Sequence, residues 1–261
     1  MARPLRIEYP DAVYHVSNYG SDGQRVFPSA KYYEAFLDGL AETCARLNVE
    51  VHSFCLLRDQ YHLLIKTPEG NLSRFMRQVD GLYTQNYQRM KGVEGSLFRG
   101  RYKAVLVQAD KYLLPLSRYI HCKVKPKDRA SYDYSSYGYF TRKATPPAWF
   151  KRDEILKQLK VAAAKRALAY KRFIAQEVDE EMAGFYGKKN LSSVMGDAKF
   201  KPRRSGRDRQ PPHAGFRGAQ TQNGDPPVSR SSQQWQSGSG YPKPAFTRQH
   251  VAPAQKTCRA G

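Results

Sequence analysis

Hydrophobic periodicity changes from two residues to about 3.6 and back several times along the first half of the chain. Residues 12–20, "AVYHVSNYG", alternate apolar and polar side chains and stop at glycine, the pattern of a half-buried strand. After Pro28, with Ser29 as a helix cap, Tyr33, Phe36, Leu37, Leu40, Cys44 and Leu47 recur at helical spacing. "VEVHSFCLL" (49–57) and "YHLLIKT" (61–67) read as two strands joined by the polar turn Arg58-Asp59-Gln60. A second helix carries Leu72, Phe75, Met76, Val79, Leu82, Tyr83 and Tyr87 on one stripe. "YKAVLVQ" (102–108) is a fourth strand, and "DKYLLPLSRYIHC" (110–122) a third helix capped by Asp110.

The order βαββαβ followed by a helix predicts an α+β fold of the ferredoxin-like, split-βαβ kind. Its four-stranded antiparallel sheet carries helices on one face. This architecture hosts RNA-binding modules, metabolic enzymes and nucleases alike, so it names no function. Beyond it, "RDEILKQLKVAAAKRALAYKRFIAQ" (152–176) reads as one long helix, the centre of a C-terminal helical appendage. From about residue 201 the composition turns to Pro, Gly, Ser, Gln and Arg, too poor in aliphatic side chains to offset its ordering entropy. The expected division is a folded domain over 1–145, a helical appendage over 146–200 and a disordered basic tail over 201–261.

Charge narrows the partner. Forty-four Lys and Arg against 23 Asp and Glu give +21, a field suited to a polyanion. No long apolar run and no signal-peptide pattern is present, which argues against a membrane span or export. Four cysteines without a CxxC pair fit a reduced, cytoplasmic compartment with neither a zinc knuckle nor a disulfide framework.

Three clusters could carry chemistry. Gln60 and His62, two apart on a strand, project from one face. Two histidines so placed would hold a divalent cation. Here one is an amide, a neutral oxygen donor that a hard ion binds weakly without a carboxylate. Taken without context, the pair is equally a strand with two polar residues at its mouth. Tyr119 sits at the edge of the third helix's apolar stripe (Leu113, Leu116, Ile120), where its hydroxyl reaches solvent or a ligand. A tyrosine can attack phosphorus if a cation stabilises the developing charge, although most tyrosines only pack the ring and wet the hydroxyl. "SLFRGRYKAV" interleaves Arg99, Arg101 and Lys103 with Phe98 and Tyr102. That mixture suits single-stranded nucleic acid, and also serves as a charged strand edge.

Four stretches together, "MARPLRIEYPDAVYHVSNYG", "VHSFCLLRDQYHLLIKTPEGNLSRFMRQVDGLYTQNYQRM", "GSLFRGRYKAVLVQADKYLLPLSRYI" and "DYSSYGYF", resemble the REP-associated tyrosine transposases. These are HUH-type single-strand DNA transposases of small bacterial insertion sequences. The resemblance spans roughly residues 1–190. It implies a ferredoxin-like homodimer in which a His-hydrophobic-His motif binds Mg²⁺ or Mn²⁺ and one helix tyrosine attacks DNA at the foot of a hairpin. The attack leaves a 5′-phosphotyrosyl link and a free 3′-hydroxyl. By position Tyr119 matches the nucleophile and His62 the second histidine, while Arg99, Arg101, Lys103 and Tyr102 fall where DNA contacts are expected.

Two departures stand out. Gln60 replaces the first histidine, the chain reading "DQYH" where relatives read "NHYH" or "NHVH". Either Lys123 stands where an asparagine four residues after the tyrosine can complete the metal site in relatives, or the segment with that asparagine has been deleted. The resemblance therefore implies a weakened or lost Mg²⁺ or Mn²⁺ site. Lys123 is a candidate to replace part of the metal's charge, and a decayed or domesticated protein that binds hairpin or single-stranded DNA without cutting it is the alternative. Pro115 inside the third helix is a further expected irregularity, through the hydrogen bond it removes.

Overall fold

In the computed structural model, residues 6–142, 145–188 and 190–200 are described, so the tail expected over 201–261 lies outside the described residues. Strand β1 (Ala12–Tyr19) is followed by helix α1 (Ala30–Leu47), strands β2 (Glu50–Leu57) and β3 (Gln60–Thr67), and helix α2 (Leu72–Lys91). Strand β4 (Lys103–Val107), helix α3 (Ala109–His121) and helices α4 (Tyr137–Thr141), α5 (Asp153–Lys157), α6 (Arg166–Ala175) and α7 (Glu180–Gly187) come next, then strand β5 (Val194–Met195).

The sheet order is β2-β3-β1-β4-β5. Its first four strands pair antiparallel, as the alternation predicts. The fifth adds two residues parallel to β4, an edge too short to leave a periodicity of its own. Register follows from the buried face. Tyr61 turns toward α1 and α2, its ring 5.0 Å from Phe36 and its hydroxyl bonded to Asp80 at 2.6 Å. Phe36 in turn packs on Phe27 and Tyr83 at 5.4 and 5.1 Å. Because successive strand side chains alternate, His62 must then face the other way. That second face is covered by α3, which extends the expectation of helices on one face.

Asp110 lies in the first turn of α3 rather than capping it; Gln108 is the cap residue. Helix α3 runs through Pro115, and Gln158 brackets that stretch. Its Oε1 accepts from the Leu114 N–H at 3.1 Å and its Nε2 donates to the Ala109 carbonyl at 2.9 Å. The same contact explains a difference from the sequence reading. The expected single helix over 152–176 is two, α5 and α6, with Lys160 at φ +53° between them. Alanine-rich propensity is worth a few tenths of a kcal/mol per residue, less than docking Gln158 onto α3 returns. In the loop after β1, Gly20 is required, since a Cβ there would lie 2.1 Å from the Gln24 carbonyl oxygen.

Asp80 is a charged group inside this frame. It accepts from Tyr61 and, at 3.1 Å, from Asn18, while burial pushes its carboxyl up to about 6. A carboxyl that holds its proton more tightly when folded gives stability that is complete below about pH 4 and is lost as pH rises through about 6. Wild type should lose on the order of 2 kcal/mol across that window relative to Asp80→Asn. Denaturant midpoints of the two proteins at pH 4 and 7 measure it; parallel pH profiles would show that Asp80 carries no linkage.

Candidate active site and nucleic-acid interface

His62 lies opposite Ser17 in the β1–β3 register, and His15, two residues earlier on β1, faces the same side. The two imidazoles stack at 5.3 Å between centroids, with His15 Nε2 3.1 Å from His62 Nδ1. Tyr119 from α3 meets both rings edge-on, at 6.0 and 6.4 Å. Its own ring stacks on Tyr186 of α7 at 4.2 Å, and the Tyr186 hydroxyl reaches His15 Nδ1 at 2.6 Å. Lys123, one turn beyond Tyr119, donates from Nζ to the Tyr119 hydroxyl at 2.8 Å and lies 4.1 Å from its ring centre.

Proton positions follow from the partners. Gln60 Oε1, 3.1 Å from His62 Nε2, can only accept, so Nε2 carries the hydrogen and Nδ1 accepts from His15 Nε2–H. His15 Nδ1 then accepts from Tyr186. Each ring is neutral: burial lowers His15 to about 3 and His62 well below its ordinary value, and the Lys123 charge pushes the same way. Burial raises Tyr119 to about 12 and lowers Lys123. The site therefore holds a protonated phenol with a cationic donor on its oxygen.

The donor set does not fit Mg²⁺ or Mn²⁺. Gln60 Oε1 and His62 Nε2 converge, but both are neutral donors, and no carboxylate contacts either residue among the described contacts. An ammonium stands beside them instead, and a hard dication is held mainly by anionic oxygen.

A groove of about 770 Å³ is lined by Arg99, Arg101, Lys103, Tyr19, Asp59 and the Gly20 turn. A second cavity, about 780 Å³, shares Tyr19 and Lys103 with it and reaches His15, His62, Tyr119 and Tyr186. The three basic residues expected at a DNA contact thus come together and open toward Tyr119. Tyr102, just before β4, does not line the first groove; 8 % exposed and under the Arg6 guanidinium at 3.6 Å, it lines the second cavity with Lys103 and Tyr119. The aromatic face the groove offers is Tyr19, 37 % exposed with Lys103 Nζ 5.8 Å from its centre.

Sequence reasoning missed His15, Tyr19 and Tyr186. The polar pair His15 and Ser17 within an apolar strand marked that face as occupied, but only the strand register shows by what. Nothing local marks Tyr186, which reaches the site because α7 is tied to α3 through the Arg118–Asp179 ion pair and the Tyr112–Glu181 hydrogen bond.

The family model described as IS200-like transposase matches residues 10–123, the stretch that holds β1 to α3 and both Tyr119 and His62. Over these residues the chain is similar to the IS200-like transposases. This agrees with the resemblance read from the sequence. Among solved structures, a REP-associated tyrosine transposase bound to a REP hairpin is similar at 12% identity and TM-score 0.47, covering 58% of this chain and 92% of that one. A candidate transposase of Deinococcus radiodurans follows at 16% identity and TM-score 0.32, covering 47% and 98%. The tRNA(His) guanylyltransferase of Saccharomyces cerevisiae gives 10% and 0.33, covering 69% and 86%. At these scores the likenesses assign no role to individual residues. No curated protein matches the chain. Among the described residues, no helix is long and apolar enough to cross a membrane.

Proposed function

We propose that this chain binds single-stranded hairpin DNA in the basic groove and cleaves it with Tyr119. The observation that carries the proposal is the continuity of the Arg99–Arg101–Lys103 groove with the cavity holding the Tyr119 hydroxyl. The groove cations meet phosphates, and Tyr19 gives a base a ring to stack on. The Tyr119 oxygen forms a bond to phosphorus as the P–O3′ bond breaks. The phenol loses its proton and the departing 3′ oxygen gains one, leaving the 5′ phosphate on the protein. Lys123, already donating to that oxygen, stabilises charge as it develops. His62 and His15 fix the floor beneath the ring, and Gln60 holds the His62 tautomer. A homodimer and a cytoplasmic location belong to the same reading.

A specific observation favours a second reading, binding without cleavage: the amide at Gln60 and the ammonium at Lys123 replace the donors that the resemblance implies for a cation. Incubation with end-labelled single-stranded hairpin DNA separates the two. A protein–DNA adduct stable to denaturant supports cleavage; tight binding with no adduct leaves the binding function. Both readings require the groove. Replacing Arg99, Arg101 and Lys103 together with alanine should weaken hairpin binding and flatten the plot of log affinity against log salt by about 2, at roughly 0.7 per phosphate contact. An unchanged slope would place the DNA elsewhere.

A further inference from the structure

Helix α5 meets the start of β2 away from Tyr119. In the β2–β3 register Glu50 lies opposite Lys66, whereas Cys55 lies opposite His62, so this meeting point is at the far end of the strand pair. A bulge between Val51 and Ser53 makes His52 the extra residue of β2, the kind of irregularity that re-aims a side chain. Residues 149–151 pair alongside the strand through Val51 N to the Trp149 carbonyl at 3.2 Å and Lys151 N to the Val51 carbonyl at 2.8 Å.

His52 is fully buried, and its Nδ1 lies 2.7 Å from the Lys151 carbonyl. A carbonyl only accepts, so Nδ1 bears the hydrogen and Nε2 presents a bare lone pair. That atom is buried and has no hydrogen-bond partner. It points at two more acceptors, Glu154 Oε2 at 3.7 Å and Glu50 Oε2 at 3.9 Å. Three acceptor atoms thus converge within 4.8 Å of one another. An orphaned buried acceptor costs about 1–3 kcal/mol, and two facing carboxylates add repulsion. Lys66 Nζ, 3.7 Å from the other Glu154 oxygen and 3.6 Å from Asp11, offsets part of the repulsion but gives His52 Nε2 no hydrogen.

We propose that Glu50, His52 and Glu154 form a divalent transition-metal site, of the zinc class, that fastens residues 149–154 to β2. Ligand atoms held about 2.0–2.1 Å from a zinc ion can stand up to about 4 Å apart, so the observed spacings close with small side-chain rotations. One imidazole with two carboxylates favours Zn²⁺ or Co²⁺ over Mg²⁺ and Ca²⁺, which prefer all-oxygen sites, and lacks the thiolate that softer ions take. The backbone carbonyl behind Nδ1 is the usual outer partner that orients a metal-bound histidine. Glu50 and Glu154 are 31 % and 44 % exposed, so the ion enters from solvent and water completes its shell. The alternative occupant is a proton shared by His52 and the carboxylates; burial opposes it by lowering the imidazole's proton affinity.

The site is independent of DNA cleavage, and so is its test. Full-length chain, stripped with a chelator and dialysed, is melted with and without Zn²⁺, alongside Glu154→Gln and His52→Ala. Glu154→Gln changes an exposed side chain and should fold as wild type by circular dichroism, even if His52→Ala does not. Zinc at about 100 times its dissociation constant should raise the wild-type melting temperature by about 5 °C or more and leave Glu154→Gln unmoved. Calorimetric titration should show one fewer Zn²⁺ bound in the variant, which corrects for other histidines and the cysteines. Absence of a zinc-dependent rise in wild type, or equal rise and stoichiometry in wild type and Glu154→Gln, would overturn the site.

Discussion

Tyr119→Phe should abolish the protein–DNA adduct, lowering its rate of formation by at least about 1,000-fold, while hairpin affinity stays within about twofold. The substitution removes one oxygen. The ring that stacks on Tyr186 and meets His15 and His62 edge-on remains, so the cavity keeps its shape. With a 5′-phosphotyrosyl link, a 3′-end label travels with wild-type protein on a denaturing gel, and a 5′-end label is released as a shorter strand. A 3′-labelled adduct persisting in the variant would move the nucleophile elsewhere, with Tyr186 as the nearest phenol. Lys123→Ala tests the companion role: cleavage at the wild-type rate in that variant would remove its ammonium from the reaction.

His121→Ala should cost about 3–5 kcal/mol of stability and lower the melting temperature by about 10 °C. His121 is fully buried and neutral, burial holding it down near 3 with Arg129 pushing the same way. Its Nδ1 lies 2.7 Å from the Tyr170 hydroxyl, which donates at 3.0 Å to Ser117, which donates at 2.7 Å to the Leu114 carbonyl. On its other side Nε2 meets Ser136 at 2.8 Å and Ser53 at 3.2 Å. One imidazole thus joins β2, α3, the start of α4 and α6 in one hydrogen-bonded network. Alanine leaves several of these groups unpaired and opens a cavity beside Phe140. Tyr119 is two residues away on α3, so adduct formation should fall with stability. In a double-mutant cycle, Tyr170→Phe should add less in the His121→Ala background than alone; strict additivity would show that the chain of hydrogen bonds is not a unit.

The tautomer assignments at both histidine clusters rest on the same reasoning, that an acceptor-only partner fixes which nitrogen holds the hydrogen. At His62 it sets Nε2–H toward Gln60, and at His52 it leaves a lone pair on Nε2 with no hydrogen-bond partner.

By itself the sequence determined the βαββαβ core, because its signals are local. Period-two and period-3.6 apolar patterns and turn residues place β1 to α3 within one or two residues of where they lie. It also placed Gln60 and His62 on one face, since strand alternation requires it, and Tyr119 at a helix edge. Tertiary structure decided what those residues meet. His15 reaches His62 across a β-ladder 47 residues apart in sequence, and Tyr186 reaches His15 from 171 residues away, separations over which no local pattern carries information. It also covered Tyr102 with the Arg6 guanidinium and left Tyr19 exposed in the groove. Tertiary packing likewise broke the helix expected over 152–176. Its propensity is a small sum of weak terms, and the fold gained more from Gln158 on α3 than from another helical turn.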